Sequence, residues 1–181
     1  MERSYLIEAG AAFGDGMHPS TALALWMLAT LPEEFAPSHA LDVGCGSGIL
    51  SLAVALKWQI PVIASDIAVE AVEQTRANAE VNGARELITA VRADSAHHPE
   101  ISAHAPYDLL VSNILTDLHI RNARHFASLL APGGRMLLSG ILQWRMAELL
   151  GYYAALGWEA QMQEREGDWA AVIIKHKEDS Q

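Results

Sequence analysis

From residue 40 onward, short apolar runs alternate with longer stretches in which apolar side chains recur every three or four positions. That rhythm predicts strands separated by helices. The runs are Ala40–Val43, Pro61–Ser65, Leu87–Arg92, Tyr107–Ser112 and Arg135–Ser139. Helical spacing covers Gly48–Lys57, Ala68–Asn82, Thr116–Leu130 and Gln143–Leu156. Asp94–Pro106 is polar, with room for one helical turn. Two closing strands, Trp158–Arg165 and Asp168–His176, meet at Glu166-Gly167, a pair suited to a hairpin. Ahead of residue 40, Leu23, Trp26, Met27, Thr30 and Leu31 mark a one-sided helix ending near Leu31. Pro19 falls in its first turn, with Ser20 or His18 as the cap. Tyr5–Ile7 reads as a short strand or an ordered arm.

Strands alternating with helices of about 10–15 residues imply a parallel sheet with helices on both faces. A two-residue connection joins antiparallel neighbours, so the final hairpin cannot be all parallel. The expected fold is α/β: a seven-stranded, mostly parallel sheet with one antiparallel strand near its end. At 181 residues the chain fits one domain, with residues 1–38 as an N-terminal loop and helix and 39–181 as the α/β core. Hydrophobic residues make up 51% and charged residues 19%, a globular composition. No apolar run reaches the ~18 residues of a membrane span, and the first residues carry no signal-peptide core, so a cytoplasmic protein is expected.

In such a sheet ligands bind at the carboxyl ends of the strands, beside the point where strand order reverses. The residues that follow each strand therefore carry the candidate chemistry. Strand one leads into Gly44-Cys45-Gly46-Ser47-Gly48, strand two into Asp66, strand three into Asp94-Ser95 and strand four into Asn113. Asp66 lies about 20 residues beyond the glycine turn, the usual place for a carboxylate that accepts ribose hydroxyls. It also suits the N-cap of the next helix, and the two roles are compatible. The turn reads G-x-G-x-G and lacks the third-glycine offset of a dinucleotide fingerprint. Lys57, the nearest cation, stands at the far end of its helix. A nucleoside cofactor without a phosphate fits these features, and S-adenosylmethionine is the candidate.

Three further observations narrow the chemistry. The net charge of −10 repels nucleic acid and favours a cationic partner such as a lysine-rich protein. Arg121, Arg124 and His125 form only a small basic patch. Cys45 is the sole cysteine, which excludes an internal disulfide and a thiolate metal cluster. His97, His98 and His104 lie in a polar loop without metal-ligand spacing, and no metal site is expected there. Trp169 reads as packing, and His18 as a residue that structures its loop.

Leu41-Asp42-Val43-Gly44-Cys45-Gly46-Ser47-Gly48-Ile49-Leu50 resembles the first motif of class I S-adenosylmethionine-dependent methyltransferases, which have a Rossmann-like fold. The combination of Phe13-Gly14-Asp15-Gly16-Met17-His18-Pro19, Ser112-Asn113-Ile114-Leu115, Leu138-Ser139-Gly140-Ile141-Leu142 and Gly167-Asp168-Trp169 is more selective. It resembles the PrmA family, which methylates large-subunit ribosomal protein eleven, over roughly residues 7–176. The resemblance implies that Thr21, Gly44, Gly46, Asp66 and Asn113 contact the cofactor, and the broader class adds Asp94 at the adenine. Thr21 and the two glycines would face the methionine end. Asn113 would stand beside the methyl group and orient the incoming amine, making it the catalytic candidate. Position 15 departs from the family's usual Thr, and the N-terminal substrate-recognition domain of that family has no counterpart in this sequence. The implied reaction is N-methylation of a protein amino group, a lysine or an amino terminus, on an acceptor such as a ribosomal protein. Another protein lysine, a small-molecule acceptor and a non-catalytic cofactor-binding scaffold remain alternatives, and the oligomeric state is open.

Overall fold

The computed structural model describes residues 6–7 and 16–177. Phe13, Gly14 and Asp15 of the upstream loop lie outside them. Of the Tyr5–Ile7 piece, Leu6 exchanges two hydrogen bonds with the Asn82 side chain: its N–H donates to Oδ1 (2.9 Å) and Asn82 Nδ2 donates to its carbonyl (2.7 Å).

The seven strands are β1 (Ala40–Val43), β2 (Val62–Asp66), β3 (Ile88–Arg92), β4 (Tyr107–Asn113), β5 (Leu130–Leu142), β6 (Trp158–Glu166) and β7 (Trp169–His176). They form one sheet in the order β3-β2-β1-β4-β5-β7-β6. The first five run parallel, and β7 is antiparallel to both of its neighbours. The one antiparallel strand expected from the hairpin is therefore inserted between β5 and β6. Its turn sits one residue later than expected, at Gly167-Asp168, because Glu166 pairs with Trp169.

The helices are α1 (Pro19–Thr30), α2 (Ile49–Trp58), α3 (Val69–Val81), α4 (Pro99–Ala103), α5 (Thr116–Ser128) and α6 (Met146–Ala155), the last entered through a 3-10 turn at Gln143–Arg145. α1 packs on β5, β6 and β7, while α2 and α3 cover the β1–β3 half. Strand periodicity divides the core accordingly. Leu109 and Val111 of β4 join Met27, Leu52 and Val72 in one cluster, while the alternate Leu110 joins Phe126, Leu149 and Tyr153 in the other. Tyr107, on the far side of the irregularity before Leu109, joins that second cluster out of phase.

β5 differs most from the sequence expectation. Pro132-Gly133-Gly134 was expected to separate helix from strand, yet the strand already begins at Leu130. Leu130 pairs with Tyr107, and the register then jumps to Leu109 with Arg135. The Pro-Gly-Gly segment is an irregularity within the strand, with Gly133 at φ +80°. The proline's missing donor is tolerated because that stretch leaves the ladder.

Sequence order places the edge where a ligand is expected. The chain builds outward from β1 to β3, then returns to add β4 on the other side of β1. Val43 pairs with Ser112, so the loops after β1 and β4 emerge side by side. The Ser112 hydroxyl donates to the Val43 carbonyl at 2.8 Å and ties the two strand ends together.

Leu137 of β5 is fully buried in the cluster that α1 covers. Leu137→Ala is expected to cost about 2–5 kcal/mol, read as a lowered urea midpoint with an unchanged slope. A loss within experimental error would mean that α1 collapses into the gap.

Candidate active site

The loop after β1 turns on glycine. Gly44, Gly46 and Gly48 have φ of +76°, +54° and +81°. A Cβ on Gly44 would lie 2.3 Å from Ile114 Cγ2, so any side chain there collides with the loop after β4. The amides of this turn face the protein. Gly44 and Cys45 N–H donate to the Ser65 carbonyl, and Gly48 N–H donates to the Cys45 carbonyl. Gly46 N–H donates to Asp66 Oδ2 at 3.0 Å. The N–H donors of Gly44 and Gly46 are thus satisfied within the protein. The turn offers a Cβ-free surface instead of a phosphate nest.

Two polar residues of α3 hold that turn, and sequence reasoning passed over both. Thr75 Oγ1 donates to the Gly46 carbonyl (3.0 Å), and Asn78 Nδ2 donates to the Ser47 carbonyl (2.8 Å). Both are fully buried. Their signal was two polar side chains three apart on the apolar face of a helix. Burial also raises the Cys45 thiol pKa, so the thiol stays protonated.

Asp66 serves as anchor and helix-entry residue together. Besides the bond from Gly46, its Oδ1 accepts from Ala68 N–H at 3.0 Å. Asp94 follows β3 and is exposed. Ala93 N–H bonds the Asp66 carbonyl, so both acids sit on the same strand-end edge.

Asn113 and Thr21 meet directly. Asn113 Nδ2 donates to Thr21 Oγ1 at 3.1 Å, and Thr21 is fully buried in the first turn of α1. His18 caps that helix, its Nδ1 accepting from Ser20 N–H. The Ser139 hydroxyl donates to the Ser20 carbonyl at 2.7 Å, which fastens α1 to β5. Shortly before that helix in the chain, Gly16 packs against Ile49 of α2, whose Cδ1 lies 3.1 Å from where a Cβ of Gly16 would be.

A pocket of about 270 Å³ opens beside Asn113. Its walls are His18, Ser20, Asn113, Ile114, Leu115, Gly140 and Trp169. Among the described residues that line it there is no lysine, arginine or carboxylate. The His18 and Trp169 rings stand edge to face with centroids 4.8 Å apart. Trp169, expected to be packing, therefore also forms a wall of this pocket. The histidines of the 97–104 segment go separate ways. His97 stacks on His125, His98 caps α4, and His104 Nδ1 bonds the Glu100 carbonyl.

Two buried ionisable groups flank the site. Asp42 of β1 accepts from the Ser51 hydroxyl at 2.5 Å, and its Oδ1 has no partner. Burial pushes its carboxyl up to about 7. As the one acid in an apolar strand it was visible in the sequence, but only as part of a motif. His119 of α5 donates from Nε2 to the Ser139 carbonyl at 2.8 Å. Burial brings its imidazole down to about 4, with the carbonyls of Ser139 and Ile114 opposing that shift.

The comparisons agree with this architecture. Residues 4–177 match the family model of ribosomal protein L11 methyltransferase (PrmA). The chain is 40% identical over 171 residues to the ribosomal protein L11 methyltransferase of Mesorhizobium japonicum, covering 94% of this chain and 59% of that protein. It is 38% identical over 169 residues to the protein of the same name from Brucella melitensis biotype 2, covering 93% and 59%. The chain thus spans about three-fifths of the length of the curated relatives it matches. The crystal structure of ribosomal protein L11 methylase from Lactobacillus delbrueckii subsp. bulgaricus superposes with a TM-score of 0.79 at 26% identity, covering 95% of this chain and 84% of that one. No helix among the described residues is long and apolar enough to cross a membrane.

Asp42 and His119 bias stability in opposite directions. A carboxyl raised on folding makes stability fall as pH rises from about 4 to 7. An imidazole lowered on folding makes stability fall as pH drops from about 6.5 to 4. Asp42→Asn removes the first effect alone. Relative to the parent, the variant is expected to gain on the order of a few kcal/mol by pH 8 and nothing near pH 4. Denaturant titrations across that range check this, and a pH-independent difference would contradict the raised carboxyl.

Proposed function

The chain belongs to the PrmA family of S-adenosylmethionine-dependent methyltransferases, and on that premise we propose that it transfers a methyl group from this cofactor to an amino group of a protein. The relatives are named for ribosomal protein L11, and we extend that acceptor class to this chain. The observation that carries the reading is the pairing of a Cβ-free, amide-satisfied turn with a neutral pocket walled by Asn113. A dinucleotide would seek free amides for its pyrophosphate, and those of Gly44, Cys45, Gly46 and Gly48 are bonded within the protein.

The cofactor, when bound, supplies a methyl group on an electrophilic sulfonium. The protein's task is then alignment and solvation. The Asp66 carboxylate has lone pairs left to accept the ribose hydroxyls beyond those used by Gly46 and Ala68. Asp94 accepts from the adenine amino group. Gly44 gives a flat surface at the methionine end, and Thr21 and Gly46 complete that side. Thr21 fixes the Asn113 amide through its nitrogen, which leaves the amide oxygen to accept a hydrogen bond from the incoming amine. That amine must arrive neutral, so its proton passes to water or to a nearby polar group first. Among the described residues, the pocket wall contains no carboxylate to keep a lysine ammonium charged. His18 and Trp169 offer aromatic edges and faces to the cationic product.

The direct test is incubation of the purified chain with methyl-labelled cofactor and ribosomal protein L11, alongside a cell lysate. Label in a lysine or an amino terminus supports the reading, and label confined to small molecules would replace the acceptor class. Two variants divide the site. Asp66→Ala is expected to weaken cofactor binding by about 1.5–3 kcal/mol, measured by calorimetry. Asn113→Ala is expected to reduce turnover more than cofactor affinity. The reverse pattern would assign Asn113 to binding only.

A further inference from the structure

The segment after β3 is held in an unusual conformation. Ser95 has φ +56°, in the left-handed region that costs a non-glycine residue energy. The surroundings enforce it. The Ser65 hydroxyl donates to the Ser95 carbonyl at 3.0 Å. His125 Nε2 bonds the Ala96 carbonyl at 3.1 Å, and His125 stacks on His97. Asn122 of α5, only 8% exposed, donates from Nδ2 to Ser95 Oγ at 3.2 Å and to the Leu118 carbonyl at 2.9 Å.

These bonds have a direction. An amide nitrogen only donates, so Asn122 occupies a lone pair of the Ser95 hydroxyl. The hydroxyl hydrogen is then free for a different acceptor. Asp94 Oδ1 lies 3.5 Å from Ser95 Oγ, a long contact on that side. A buried amide thereby sets a hydroxyl, and the hydroxyl sets one oxygen of the exposed carboxylate. The carboxylate keeps a second oxygen whose lone pairs can accept from a ligand.

We propose that Asn122 and Ser95 form a positioning relay that orients the Asp94 carboxylate to recognise an exocyclic amino group, so that base selectivity is set from α5. The inference rests on the reading of Asp94 as the acceptor for adenine. Neither Asn122 nor Ser95 touches the base in it. It explains why a strained serine stands where glycine would fit without strain: glycine has no hydroxyl to relay.

The test compares binding of S-adenosyl-L-homocysteine and S-inosyl-L-homocysteine, whose ring carries a carbonyl in place of the amino group. Calorimetry and thermal melting are run on the parent chain and on three variants. Asn122→Asp keeps the shape but reverses polarity, because its carboxylate draws the Ser95 hydrogen away from Asp94. Ser95→Gly removes the hydroxyl and relieves the left-handed backbone. The parent is expected to favour the adenosyl ligand. Each of these two variants is expected to lose about tenfold of that preference, through weaker adenosyl binding alone. Ser95→Gly is also expected to melt no earlier than the parent, so selectivity falls without loss of stability, an outcome that a merely structural role does not produce. If Asn122→Asp fails to fold, Ser95→Gly decides alone. Equal weakening of both ligands, or an unchanged preference, overturns the relay. The third variant, Asp94→Ala, separates the two readings. Loss of preference in Asp94→Ala without loss in the relay variants rejects the relay and keeps the base reading. An unchanged preference in Asp94→Ala rejects both. A parent that binds neither ligand defeats the methyl-donor reading itself.

Discussion

Ile114 is wedged between two glycines, and the candidate site depends on that wedge. Its side chain presses where a Cβ of Gly44 would be, 2.3 Å away. Its carbonyl presses where a Cβ of Gly140 would be, 2.5 Å away. Both glycines have positive φ, so each is required twice, once for its conformation and once for its missing side chain. The ends of β1, β4 and β5 are thereby locked in contact across the point where the sheet reverses its order. Asn113 precedes the wedge and Leu115 follows it, so the pocket inherits its shape from this contact.

Around that wedge the protein uses buried neutral polar groups more than charges. Thr75, Asn78, Ser112, Ser139 and His119 each spend a donor on a backbone carbonyl near a strand end, in the glycine turn or in the first turn of α1. Each such bond contributes only about 1 kcal/mol net, but leaving one partner unsatisfied costs more. Loops bound this way keep their shape without charges that a cationic substrate would have to displace. The net charge of −10 is then left to the surface, where it would act at long range on a basic partner such as the proposed acceptor.

The order of elements was legible because each strand and helix had its own period, and each of the seven strands predicted from residue 40 onward is present. Boundaries failed where one residue type serves two purposes. Pro132-Gly133-Gly134 looked like a break and is a bulge, because a register shift absorbs the extra residues. The candidate site was legible along the strand ends, since topology alone brings Gly44, Asp66, Asp94 and Asn113 to one edge. Its second layer was not. Thr75 and Asn78 look like ordinary helix residues until α3 is packed against the turn. Trp169 looked like core because a single sequence does not say which neighbour its ring will face. Asn122 was invisible for the same reason: its partner lies 27 positions away, on a segment with no regular structure to announce it.

The inward-facing amides of the turn bear on how one architecture separates its ligands. A G-x-G-x-x-G turn that binds pyrophosphate brings its backbone close to the phosphates at a helix N-terminus. Here Ser65 and Asp66, both at the end of β2, take the amides of Gly44, Cys45 and Gly46. The carboxylate that the proposal assigns to the ribose is therefore also the group that turns the loop away from phosphate. Binding and exclusion would then share one residue. Removing that carboxylate would weaken the nucleoside contact and, in the same step, free an amide for an anion. On the proposed reading, specificity for an unphosphorylated nucleoside in this frame would follow from where the second strand ends relative to the first, more than from the number of glycines in the turn.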